Sequence, residues 1–560
     1  MSKRKQRRSG APRSERRDVQ AAELLAIVER VKTSLSEAEY SALKTAVDTL
    51  GFLTQELQAK GTTIDRLRRM LFGGRTEKTS QVVGDDGGDG GAAPTDPASG
   101  DPAAGGAGEQ KPRAPGHGRN GAAAYTGANK IKVPHAGLCS GDACPECAKG
   151  KIYPLAQPAV LLRVRGMAPL AADLYELDRL RCNLCGVVFT APTPPGVGDQ
   201  KYDETAAAMV GLLKYGAGLP FHRIEKLQHS LGIPMPASTQ WEIVERAAGP
   251  LGPAHAELIN QAAQGEVLHN DDTTATILEL MAAQPEKELA GATADADTRT
   301  GTFTTGIVAQ CADHRIALFF TGRKHAGENL ADVLAHRAAE LGAPIQMCDA
   351  LSRNLPGELQ TIVANCIGHA RRRFVDVVHD FPVECRHLLE ALRDVYRNDA
   401  LARERVLSAD DRLRFHQAES GPIMDGLHAW LTEQIEDHKV EPNSGLGDAI
   451  GYMLKHWSKL TLFLRVAGAP LDNNICERAL KKAILHRKNA LFFKTLNGAH
   501  VGDVFMSLIH TAELAGENPF DYLVALQRHP DDVALSPGDW MPWNYRAAVA
   551  QLAHGPDPPG

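Results

Sequence analysis

The sequence predicts a multidomain α+β chain, and three observations carry that expectation. A helical heptad pattern near the N-terminus gives way to a Gly-, Ala- and Pro-rich segment. Two Cys-x-x-Cys pairs follow it. From Glu266 a strand-rich stretch begins, is interrupted by a long helical region, and ends in further helix. At 560 residues the chain has room for three or four domains, and 43% apolar residues suffice for a sizeable core.

The net charge of -6 conceals a segregation of basic and acidic stretches. No apolar run approaches the roughly 20 residues a membrane span needs. The opening MSKRKQRRSG lacks the apolar stretch of a secretory signal, so a cytoplasmic protein without membrane contact is expected. In a reducing compartment its 10 cysteines read as free thiols or metal ligands rather than a disulfide framework.

Residues 1–18 form a basic tail, with eight Lys or Arg against the single acid Glu15 in the first 17. Such a tail is either simply solvated or a non-specific attractor of phosphate. Residues 19–80 read as a coiled-coil helix, because Leu43, Leu50, Leu57, Ile64 and Leu71 recur every seven residues. The companion positions Val47, Thr54, Gly61 and Arg68 are weaker, so packing within one domain competes with self-association. Residues 81–125 form an acidic Gly/Ala/Pro linker that cannot bury a core. It ends in the basic, glycine-rich run around His117 and Arg119, a weak signal for phosphate contact.

Residues 126–200 read as a zinc-binding module. Cys144 and Cys147 form one knuckle, and Cys182 and Cys185 the other, with 34 residues between them. Four thiolates so spaced can converge tetrahedrally on a structural zinc ion with no open position. The intervening Ala159–Arg165 and Asp173–Arg181 suit the strands of a ribbon. Residues 201–260 resemble a helix-turn-helix. One helix covers Tyr202–Tyr215, a second starts at Pro220, and a third starts with Ser238 as its N-cap, followed by Thr239 and Gln240. A polar third helix suits insertion into a DNA major groove, although helical hairpins are equally common in cores.

The remaining chain reads as a catalytic core over 261–355 and 466–525, split by an all-helical insertion at 356–465 and followed by a fraying tail at 526–560. Thr302–Phe320 reads as a β-hairpin turning at Ala312-Asp313-His314, a helix covers about Asn329–Leu341, and a short strand ends at Asp349. Asp271 ends the first strand of this core, Asp349 the fourth, and Glu477 sits on a helix starting near Asn473. Two strand-end Asp residues and a helix carboxylate can hold two divalent ions for phosphoryl transfer. Magnesium (or manganese) prefers such hard oxygen ligands. Each Asp alone is an ordinary cap or turn residue; the set gains meaning from its placement. Arg478, Lys481, Arg487, Lys488 and Asn489 surround Glu477, and Arg371 and Arg372 follow Asp349, which suits a polyphosphate substrate.

These residues carry a family resemblance. In order, the chain holds Leu71-Phe72-Gly73 after the heptads, His117-Gly118-Arg119, the double cysteine knuckle and Asp271-Asp272-Thr273. Then come Gln346 to Asp349, His369-Ala370-Arg371-Arg372, Asp472-Asn473-Asn474 leading to Glu477-Arg478, Arg487-Lys488-Asn489 and Asn518-Pro519. The series resembles the transposases of the insertion-sequence sixty-six family, from about residue 40 to residue 525. The resemblance implies a DDE transposase with a zinc-finger-like element, a ribonuclease H-like core and a helical insertion. Asp271, Asp349 and Glu477 fall on the catalytic positions. Where the family has Glu after its first catalytic Asp, this chain has Asp272, so Asp271 and Asp272 both remain open as metal ligand. His486 and Ala490 also depart from the family's usual glycine and aromatic.

The expected function is recognition of the terminal inverted repeats of a bacterial insertion sequence, followed by metal-dependent nicking and joining to target DNA. A nucleoid-associated homo-oligomer joined through the zipper is implied, with helper proteins of the same element plausible on the resemblance. A catalytically degenerate zinc-containing DNA-binding regulator is the alternative, and a plain nuclease a third.

Overall fold

In the computed structural model the chain forms two compact units, Met1–Asp85 and Asp86–Gly560. The structure describes residues 200–282 and 301–554 throughout, with Arg299 and scattered positions between 28 and 198. The basic tail, the linker, the heptad positions beyond Val47, His117, Arg119 and the four knuckle cysteines lie outside the described residues. In the first unit the Tyr40 hydroxyl donates to the Glu29 carboxylate (2.5 Å) and Lys32 lies over the Tyr40 ring.

The second unit holds a two-stranded antiparallel ribbon, β1 (Arg179–Arg181) and β2 (Val188–Thr190), which flanks the second cysteine pair. The strand expected over 173–181 is thus limited to its last three residues. Helix α1 (Glu204–Gly211) starts at Asp203, whose carboxylate accepts the Ala206 N–H (3.0 Å), and ends in a wide turn over Leu212–Gly216. Helix α2 (Phe221–Ser230) and α3 (Ala237–Ala263) complete the three expected helices.

The third departs from a separate helix-turn-helix. It runs 27 residues. Val244, Ala247, Leu251, Ala254, Leu258 and Ala262 recur every three or four residues on its buried side and join the core of the sheet. The boundary placed at residue 260 therefore falls inside one continuous helix. The helix starts after Pro236 without a side-chain cap, so Ser238 is not its N-cap.

The central sheet has the order β5-β4-β3-β6-β7. Strands β3 (Val267–Thr274), β4 (Phe303–Cys311) and β5 (His314–Gly322) are antiparallel. Strands β6 (Ile345–Cys348) and β7 (Ile362–Asn365) continue parallel from β3. The β4–β5 hairpin turns at Ala312 and Asp313, as the alternation predicts. Helix α4 (Ala326–Leu334) links the hairpin to β6, starting three residues earlier and ending seven earlier than expected. Strand β7 corrects the all-helical reading of 356–465. Its three apolar residues before Asn365 are too few to distinguish from helix by periodicity, and only pairing with β6 makes it a strand.

From there the chain is helical: α5 (Ile367–Val377), α6 (Pro382–Glu404), α7 (Ala409–Glu419), α8 (Gly421–Glu436) and α9 (Gly445–Lys455). Buried Asp399 ties α6 to α7 through Arg412 (2.6 Å) and His416 (3.3 Å). Helix α10 (Asn474–Ala490) returns to the sheet, followed by α11 (Leu496–Leu514) and α12 (Pro519–Arg528).

Helix α11 closes the β5 edge. The N–H groups of Ala317, Phe319 and Thr321 donate to Thr511 Oγ1 (3.1 Å), Ser507 Oγ (3.0 Å) and Asp503 Oδ2 (2.6 Å). Four residues of helix advance about 6 Å and two of strand about 7 Å, so the two rows stay matched. Side chains thereby take the place of a neighbouring strand and leave these edge groups satisfied.

The C-terminal tail is packed rather than frayed. Trp540 and Met541 are buried, the Tyr522 hydroxyl donates to the Trp540 carbonyl (3.0 Å), and Trp543 stacks on His314. Helix α13 (Tyr545–His554) ends the described chain. Among the described residues no helix is long and apolar enough to cross a membrane.

Candidate functional site

The site lies where β3, the β6–α4 side and α10 meet, and the sheet register assembles it. Parallel pairing of Val267 with Ile345, Leu268 with Gln346 and His269 with Met347, extended by two residues, sets Asp349 beside Asp271. On the other side Asp271 pairs with Gly306 of β4. A Cβ on Gly306 would stand 3.0 Å from two carbons of Leu480 on α10. The glycine therefore lets α10 lie close over the sheet, and the Cys476 thiol donates to the Gly306 carbonyl (3.2 Å). Glu477, one residue on, sits in the first turn of that helix.

The loop before α10 is pinned by polar contacts. The Asn473 amide donates to the Asn270 carbonyl (3.1 Å), its oxygen meets His269 Nδ1 (3.1 Å), and its backbone N–H points to Cys366 Sγ (3.2 Å). Asp472 caps Asn474 from both oxygens and bonds Tyr396 of the helical insertion. The insertion thus fixes the start of the helix that carries Glu477.

Asp349 is positioned by a second network. Asn354 Nδ2 and the Leu351 N–H both donate to Asp349 Oδ1, and the Asn365 amide donates to its backbone carbonyl (3.3 Å). Gln346 bonds Asn270 (2.9 Å) and the Asn354 carbonyl (2.7 Å). Asn270, Asn354 and Asn365 escaped the sequence reading; buried asparagines near strand ends carry no spacing of their own. Gly327 lets α4 press against this loop, since a Cβ there would meet the Leu355 carbonyl at 2.1 Å.

Successive strand residues face opposite sides of a sheet, and that separates the two adjacent acids. The Asp272 side chain, only 2% exposed, faces the start of α4 and the turn after β6, where it meets His325 Nδ1 (3.1 Å), Arg353 (3.1 Å) and, more distantly, the Ala326 N–H (3.4 Å). Asp271 accepts the Asp272 N–H (2.8 Å) and faces acids. Its pKa is pushed up to about 7, first by burial and then by the charges of Asp349, Asp272 and Glu477. Asp271 thus feels the charge of both Asp349 and Glu477, while among the described residues the three carboxylates do not all lie within 4.8 Å of one another. His369 Nε2 stands 3.8 Å and Arg372 4.0 Å from the Glu477 oxygens.

The other candidate DNA contacts divide. Arg372, Arg478, Lys481, Lys488 and Ser238 are exposed, and Thr239 and Arg371 are half-buried. Gln240 is a correction: it is fully buried, and its amide donates to the Met235 (2.8 Å) and Phe221 (3.2 Å) carbonyls, so it holds α2 against α3 and cannot reach a base. Arg487 donates to Thr273 Oγ1 (3.1 Å) and Thr274 Oγ1 (2.6 Å), fastening α10 to β3. Asn489 donates to the Gly218 carbonyl (3.1 Å).

A family model described as Transposase IS66 family matches residues 200–501. Three proteins of Sinorhizobium fredii are similar. Uncharacterized protein y4jD is 28% identical over 71% of this chain and 75% of its own length. Uncharacterized protein y4hP is 27% identical over 67% and 68%, and Uncharacterized protein y4qI 25% over 61% and 62%. The matched span holds the whole central sheet, the insertion, Asp271, Asp349 and Glu477, and over it the chain belongs to the IS66 family of transposases.

Proposed function

We propose that the chain is a DDE transposase that binds the terminal inverted repeats of its element, nicks them and joins them to target DNA. Asp271, Asp349 and Glu477 would be its catalytic carboxylates. The observation that carries this reading is the placement of Asp271, half-buried on the central strand beside Asp349 and near Glu477, where burial and those charges push its carboxyl up to about 7. Such a cluster is unfavourable by itself and is relieved by cations. The sheet order, with an antiparallel hairpin on one side of β3 and two parallel strands on the other, supports a ribonuclease H-like core.

Hard carboxylate oxygens from two strands and a helix fit magnesium or manganese. When bound, a pair of such ions neutralises charge developing on the phosphoryl group and activates water or a 3′-hydroxyl. The chain's own part is positioning. Asn354 and Asn365 hold the Asp349 loop, Asn473 holds the start of α10, and Arg487 holds its end. Arg372, Arg478, Lys481 and Lys488 offer cations to DNA phosphates. A catalytically degenerate regulator has no need of Asp349 and Glu477 near Asp271. Zinc at Cys144, Cys147, Cys182 and Cys185, and self-association through the heptads, complete the proposal on sequence spacing alone.

Glu477→Gln tests the reading. The variant is expected to bind element ends like the wild type and to lose magnesium-dependent nicking and joining by roughly a thousandfold. Joining at the normal rate would remove Glu477 from the catalytic set.

A further inference from the structure

Beside the carboxylate cluster lies a group of different chemistry. Cys366, at the start of α5, His369, one turn later, and Glu477 offer a sulfur, an imidazole nitrogen and a carboxylate oxygen that all lie within 4.8 Å of one another. Cys366 is 1% exposed and free of any disulfide. His369 Nε2 approaches Glu477 Oε1 at 3.8 Å, beyond hydrogen-bonding distance, while its Nδ1 is buried with no hydrogen-bond partner. A buried imidazole nitrogen is costly until that nitrogen itself is engaged, by an acceptor, a donor or an ion.

The donor set is selective. Thiolate, imidazole and carboxylate together suit zinc or a related thiophilic ion, and three protein ligands leave a fourth position open. Magnesium takes oxygen ligands and has no use for the sulfur or the nitrogen. The two sides of the Glu477 carboxylate also differ, Oε1 facing His369 and Oε2 facing Arg372.

We propose that Cys366, His369 and Glu477 form a second metal site, for a zinc-class ion, that shares Glu477 with the catalytic carboxylates. Binding replaces the Cys366 thiol proton, which leaves to solvent. Because one carboxylate serves both sites, zinc there withdraws Glu477 from its catalytic role. That consequence, unlike the binding itself, rests on the function proposed above. Zinc would then act on this chain in two ways, structurally at the N-terminal cysteines and as an inhibitor at the core.

The test is the zinc content of the full-length protein after equilibrium dialysis. Wild type is expected to retain one zinc per chain more than Cys366→Ser and more than His369→Gln. The difference does not depend on how many ions the N-terminal cysteines hold. His369 is the safer probe of the two, because Cys366 is buried and its replacement can disturb folding. Equal zinc content in wild type and folded His369→Gln overturns the site. In a second arm, zinc is titrated into magnesium-dependent nicking. His369→Gln is expected to need at least tenfold more zinc for half-inhibition than the wild type does. Identical zinc sensitivity overturns the sharing of Glu477. Absence of magnesium-dependent nicking by the wild type before zinc is added, with its N-terminal cysteines loaded, would instead overturn the transposase chemistry and leave the dialysis result to decide the metal site.

Discussion

Two acids at the sheet, one buried and one half-buried, differ in what surrounds them. Asp503, on α11, accepts from the Thr321 N–H (2.6 Å) and hydroxyl (2.7 Å). Asp271, on β3, accepts the N–H of its own neighbour and otherwise faces Asp349 and Glu477. Burial is the largest cause of a raised pKa in both, to about 8 for Asp503 and about 7 for Asp271. At Asp503 the remaining contributions oppose the shift, because donors stabilise the anion; at Asp271 like charges add to it. Burial alone therefore does not mark a functional carboxylate. Donors that converge on an acid mark a structural joint, and acids that converge on an acid mark a place for a cation.

The comparison can be broken at either end. The largest effect on stability is expected from Asp503→Ala, which leaves the Thr321 N–H and hydroxyl without their acceptor at the sheet edge. A loss of about 3 kcal/mol is expected in denaturant unfolding, with the specific activity of the folded fraction unchanged. Retention of full stability would mean that α11 does not serve as the edge of the sheet.

A smaller loss, about 2 kcal/mol, is expected for Asp272→Ala, because Arg353 is half-exposed and can find water when its partner goes. Asp272 thereby sharpens the contrast with its neighbour. If Asp272→Ala removed catalysis while sparing stability, the assignment of the two acids would be reversed.

The same joint also makes a prediction in pH dependence. Asp503 has a folded pKa near 8 against an ordinary value of 3.8. A raised acid pKa stabilises the fold fully below the unfolded value, and the benefit is lost as pH rises through the folded value. Wild type is thus expected to lose stability relative to Asp503→Asn as pH rises from about 4 to about 8. Parallel pH profiles for the two proteins would place the ionised form in the native state.

Much of this contrast lies beyond what sequence alone can resolve. The hairpin was legible because Phe303–Gly322 alternates about a two-residue turn, and α10 because its cations and apolar residues recur at helical spacing. Asp349 and Glu477 stood out through the basic residues that follow them. The faces of Asp271 and Asp272 could not be told apart, since a one-residue change of register exchanges them and only the pairing with Gly306 and the β6 side sets which face each takes. Gln240 looked like a base-reading side chain because polarity is visible in a sequence and burial is not. The row Asp503, Ser507, Thr511 has ordinary helical spacing, and its purpose appears once β5 lies alongside.

The central claim is that the acids facing Asp271 are there to hold divalent ions. It is tested most directly by thermal unfolding of wild type and Asp271→Asn, each with and without magnesium. Without magnesium the variant should be at least as stable as wild type, since it removes a half-buried acid crowded by like charge. With magnesium at about a hundred times its dissociation constant, wild type should gain about 2.7 kcal/mol for each site filled, and the variant markedly less. An equal magnesium-induced gain in the two proteins would contradict the account.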